Sequence, residues 1–145
     1  MTLLPVTIAR SVLLTSVLAL GSMATTCFLT SGIVLTPSPS LGAGMHARAI
    51  AVTDSVVRQQ GLKPNRPWPY CTVRGTEGIP AAQWERGSLS VTACVERAQP
   101  ARVEIRIRND GFWWSAKGKL IRQRLRDALR TTFSGDSVTV IVAST

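Results

Sequence analysis

Residues 88–108 read SLSVTACVERAQPARVEIRIR, and two stretches of alternation within them decide the fold. In Ser88–Arg97, Leu89, Val91, Ala93 and Val95 share one face, because successive side chains of a strand point to opposite sides. In Arg102–Arg108, Val103, Ile105 and Ile107 face one way, while Arg102, Glu104, Arg106 and Arg108 face the other. A tight connection at Gln99-Pro100 separates the two runs, so they predict an antiparallel hairpin. Asn109-Asp110-Gly111 supplies the turn residues that end the second strand.

Downstream, Ser115–Phe133 reads as an amphipathic helix. Ser115 can cap it, Gly135 can stop it, and Ala116, Leu120, Ile121, Leu125, Ala128, Leu129 and Phe133 form an apolar stripe. Ser137–Ala143 is rich in Val and Ile and reads as a last strand. Upstream, Gly75–Gly87 reads as a loop with one helical turn at Pro80–Glu85, and Tyr70–Arg74 as a short strand. Lys63–Pro69 holds three prolines around Trp68 and reads as irregular, and Ile50–Gln60 as a short helix ending near Gly61. These elements predict an α+β fold, a small two-layer sandwich. A three- to four-stranded, mainly antiparallel sheet would pack against one long C-terminal amphipathic helix. The strands either side of that helix would be parallel if the crossover is right-handed. The domain would begin at residue 50 and run to 145.

A charge-free run from Ser11 to Leu35 precedes this domain, and a Pro/Ser/Gly-rich linker at residues 36–49, which holds the sole histidine, His46, joins the two. Two readings of the run compete. In one, Met1–Arg10 and Ser11–Leu20 are the n- and h-regions of a signal peptide cut after Ala24, at Ser22-Met23-Ala24. In the other, the run is an uncleaved anchor, since about 20 apolar residues cross a bilayer. Lipidation at Cys27 is a third option with a poor sequence match, because Thr26 stands where a small residue is normal.

Export bears on the three cysteines. Cys71 and Cys94 form an even pair in a small domain and predict a disulfide. Alternation places Cys71 with Val73 on a core-like face and Cys94 opposite Val91 and Ala93, so direct pairing of their two strands would separate the sulfurs. A bulge, or a Cys71 outside the regular strand, would resolve this.

The residue inventory argues against an enzyme. With His46 in the linker, the domain has no base to activate a nucleophile, and its acids are scattered. Only Glu77 and Glu85, near Trp84, form a pair to follow. No catalytic residue, metal site or cofactor is expected. The positive signal is charge: the chain carries 17 Lys/Arg against 8 Asp/Glu, with a net charge of +9. The predicted helix holds Lys117, Lys119, Arg122, Arg124, Arg126 and Arg130. Arg106 and Arg108 of the preceding strand, and Trp113 and Trp114 before the helix, complete the expected binding surface. Trp68 and Trp84 are expected to pack near the same corner. Together these features predict a non-enzymatic protein of the cell envelope, exported to the periplasm or anchored facing it, that binds an anionic lipid or an envelope protein. The N-terminal segment would hold it to the membrane if uncleaved. The alternative is a membrane-anchored cytoplasmic module that binds nucleic acid.

Overall fold

The computed structural model describes residues 27–37, 44–98, 101–111, 113–135 and 138–144. Along them run β1 (Phe28–Pro37), α1 (Gly44–Gln59), β2 (Lys63–Asn65), β3 (Cys71–Val73), β4 (Thr76–Arg86), β5 (Leu89–Glu96), β6 (Val103–Asp110), α2 (Ala116–Thr132) and β7 (Val138–Ser144). The strands form one sheet in the order β2-β4-β5-β6-β1-β7, with β3 also on β4. Every pairing is antiparallel. The α+β class holds, but the sheet has seven strands among the described residues, against the three or four expected. The C-terminal helix is short, 17 residues, and shares its layer with α1 of 16 residues.

The largest revision concerns β1. Phe28–Pro37, assigned by sequence to the leader and linker, pairs with β6 on one side and β7 on the other. Ile33 and Leu35 are buried on the helical side, and Val34 is buried in a second cluster on the opposite side. A strand covered on both faces loses its alternation and reads as a continuous apolar run. That pattern looks the same in a sequence whether the cover is lipid or protein. The insertion of β1 also separates β6 from β7: they run in the same direction but are not neighbours.

α1 likewise begins inside the expected linker. Met45, Ala49, Thr53 and Val57 recur every fourth residue and are buried. His46 lies on its first turn, where Nε2 donates to the Ala101 carbonyl at 3.1 Å. The helix ends on Gly61, whose φ of +78° suits the left-handed conformation. Gly61 N–H donates to Arg58 O and Leu62 N–H to Val57 O, the paired bonds of a Schellman motif.

β4 replaces the expected loop and is the longest strand, 11 residues. Its sequence lacks alternation because the register slips between Pro80 and Ala82, leaving Ala81 as an extra residue. Pro80 sits in the gap between the stretches of β4 paired by β3 and by β2, where a missing N–H costs little. Trp84 is not a surface loop residue. It is buried under α1, and its Nε1 donates to Asp54 Oδ1 at 2.7 Å.

Both helices cover the face bearing Val91, Val103, Ile105 and Ile107, against which Val57, Ile121, Leu125 and Leu129 pack. They run antiparallel and cap each other. Arg48 Nη2, at the start of α1, donates to Thr132 O at the end of α2, and Lys117 Nζ, at the start of α2, donates to Gln60 O just past α1. Cations at helix C-termini satisfy orphan carbonyls and favour the dipole.

Candidate binding surfaces

The structure splits the expected basic surface in two. α2 lies over the Val103/Ile105/Ile107 side of β6, whereas Arg106 and Arg108 project from the other side of the same strand. The alternation of residues 102–108 already carried this information, since a helix that covers the apolar residues must lie opposite the arginines.

On the helical side, Lys119, Arg124 and Arg130 are exposed and meet no acidic side chain among the described residues. Arg122 lies over the Trp114 ring at 4.9 Å from its centroid, and Arg126 pairs with the adjacent Asp127 at 3.1 Å. Lys117 is committed to capping α1. Arg122, Arg126 and Arg130 follow one another at a spacing of four along one row of the helix.

Trp113 and Trp114 occupy the corner between β6 and α2. Trp113 is 81% exposed, while Trp114 packs against the core. Asn109, 1% exposed, organises this corner. Its Oδ1 accepts from Ser115 N–H at 3.2 Å and Ser115 Oγ at 2.9 Å, and its Nδ2 donates to Trp113 O at 3.1 Å. Ser115 Oγ in turn accepts from Gly118 N–H at 3.0 Å and caps α2. The expected packing of Trp68 and Trp84 into this corner is not found: Trp68 stands on the other face of the sheet and Trp84 under α1.

The second face of the sheet is half covered. The β3–β4 hairpin folds over it and is pinned by the Cys71–Cys94 disulfide, with a Cα–Cα separation of 6.0 Å. β3 pairs with β4 rather than β5, and Val73 and Cys71 lie with Cys94 in the second cluster, away from the helices, so the sulfurs share one side. Gly78 lies under the sulfurs, where a Cβ would collide with Cys94 Sγ. Glu104, 6% exposed, fixes the hairpin tip: Oε2 accepts from Arg74 N–H at 3.2 Å, and Oε1 pairs with Arg106 Nη2 at 2.9 Å. Gly32 leaves the space for this carboxylate, since a Cβ there would stand 2.7 Å from Glu104 Oε1. Arg106 Nη2 also donates to Thr72 O at 2.9 Å. Arg106 is therefore first a structural residue.

The other half of that face is an open groove of about 370 Å³ over Ser90 and Thr92, with Trp68 and Tyr70 among its lining residues. Arg108 borders it, paired with Asp110 at 2.9 Å and lying 4.3 Å over the Phe28 ring. The sequence held a signal for this groove that its reading passed over: two aromatics spaced by one proline, at Trp68-Pro69-Tyr70.

Two carboxylates are held below their ordinary range. The Arg102 guanidinium bonds Glu96 through Nε at 2.5 Å and Nη2 at 2.6 Å, which outweighs the effect of burial. Asp54 is lowered by Arg58, at 2.7 Å, and then by Trp84. Glu77 and Glu85 do not form an acid pair: Glu77 faces Arg97 at 3.4 Å, while Glu85 accepts from Asn65 and Gln83. Among the described residues no three His, Cys, Asp or Glu side chains gather as metal ligands. Comparison with protein-family models and with curated proteins gave no match.

Proposed function

We propose that the chain is an exported, non-enzymatic cell-envelope protein that binds an anionic lipid surface through the outward face of α2. Support for export comes from β1. Phe28–Pro37 lies between β6 and β7, so the apolar run left to a leader is Ser11–Thr26. That is shorter than the about 20 residues of a spanning helix and nearer the apolar core of a cleaved signal. Among the described residues no helix is long and apolar enough to cross a membrane, and the leader itself, residues 1–26, lies outside them. Cleavage after Ala24 would leave all of β1 in the mature chain. The Cys71–Cys94 disulfide is consistent with an oxidising compartment and weighs against the cytoplasmic nucleic-acid reading.

One observation carries the binding reading: the row Arg122–Arg126–Arg130. Like charges four residues apart destabilise a helix by about 0.2–0.5 kcal/mol per pair, and the Trp114 ring under Arg122 and the single carboxylate of Asp127 beside Arg126 offset this only in part. An anionic surface relieves this repulsion and gains about 1 kcal/mol per basic residue near it. The experiment is co-sedimentation with vesicles of phosphatidylglycerol and phosphatidylcholine. Reversing Arg122, Arg126 and Arg130 to Glu should weaken binding by about a hundredfold or more, and added salt should weaken the native protein's binding. Equal binding to pure phosphatidylcholine, or an unaffected triple variant, sinks the proposal. Capture of acidic envelope proteins without vesicle binding would favour a protein partner instead.

A further inference from the structure

We infer that the open half of the second sheet face is a binding site for a neutral oligosaccharide, separate from the basic face of α2. The groove, about 370 Å³, falls within the range of small-ligand sites. Its rim displays Trp68, 61% exposed, and Tyr70, 87% exposed. The backbone beneath them is fixed all the same. Trp68 N–H donates to Gln83 Oε1 at 3.0 Å, Gln83 Nε2 donates to Glu85, and Asn65 Nδ2 donates to Glu85 Oε2 at 2.7 Å. Pro67 and Pro69 restrict φ on either side of Trp68. Three polar side chains thus hold an irregular segment whose exposed residues are aromatic. Such a rim loses little freedom when a ligand settles on it.

Opposite stand Arg106, fixed by Glu104 and Thr72 O, and Arg108, fixed by Asp110 and Phe28. The ionisable residues lining the groove balance, Arg106 and Arg108 against Glu85 and Asp110. This groove therefore exerts no net pull on an anion, in contrast to α2. What it offers is donors on the arginines, acceptors on the carboxylates, and both on Ser90 and Thr92. A neutral sugar matches that set: its hydroxyls donate and accept, and its C–H face packs flat on an aromatic ring.

The test is a printed array of neutral oligosaccharides, followed by titration of the best binder monitored by tryptophan fluorescence. Trp68→Ala and Tyr70→Ala should each weaken binding by about tenfold, with unchanged thermal melting because both side chains are exposed. Reversal of Arg122, Arg126 and Arg130 should leave sugar binding intact, which separates this site from lipid binding on α2. The inference is overturned if the array gives no saturable binder, if binding survives loss of both aromatics, or if only anionic sugars bind.

Discussion

Asn109 shows how much a single buried amide can organise. Replacing it with Ala removes the acceptor for Ser115 and the donor to Trp113 O, and so loosens the cap of α2. Leaving buried groups unsatisfied costs about 1–3 kcal/mol each. Asn109→Ala should therefore lower stability by about 2–3 kcal/mol in a urea titration; a change within 0.5 kcal/mol would show the network to be dispensable. In the sequence Asn109 reads only as a turn former, because its side-chain partners lie in a helix whose docking no local pattern encodes. Glu96 supplies a pH test at the same scale. Its folded pKa lies below the unfolded value, so the native state holds fewer protons near the ordinary carboxylate range. The stabilisation is complete above that range and is lost as pH falls through the lowered value. The urea midpoint should thus fall as the pH drops through and below the ordinary carboxylate range, and less steeply in Glu96→Gln. Parallel slopes in the two proteins would assign the acid sensitivity to another group.

Among the elements, those with a clean period were legible. β5, β6 and α2 fall close to the limits their alternation or helical stripe predicts, because each has one apolar and one polar side. β4 and β1 were not, one because a bulge resets its phase, the other because both of its sides are covered. α2 also separates folding from binding. Arg126→Glu turns two repulsive neighbours into attractive ones but gives up the Asp127 pair, so stability should stay within about 0.5 kcal/mol while vesicle binding falls. A variant that loses both stability and binding would mean that the arginine row serves the fold. The disulfide acts at this scale too. Cys71→Ser with Cys94→Ser reopens a loop with a sequence separation of 23 and should cost about 3 kcal/mol in a urea titration. Unchanged stability would mean that Glu104 and Arg106 suffice to hold the hairpin.

For the whole molecule, the order of strands matters more than their number. A chain beginning at Ile50 keeps every element foreseen from sequence but lacks β1, the shared partner of β6 and β7. It should show little chemical-shift dispersion in its NMR spectrum, whereas a chain beginning at Thr25 should fold; a well-dispersed spectrum from the shorter chain would show β1 to be an accessory. On the proposed export, the intact mass of the mature protein should likewise correspond to a start at Thr25. β1 is made before all its neighbours, yet one of them is β6 and the other is β7, the last strand of the chain. Pairings so distant in sequence form slowly, since loop closure must precede any gain from contact. Synthesis therefore presents β1 first and leaves it without either partner until β6 is made. On the proposed export, β1 is the first strand to cross and waits unpaired on the far side until β6 and then β7 arrive.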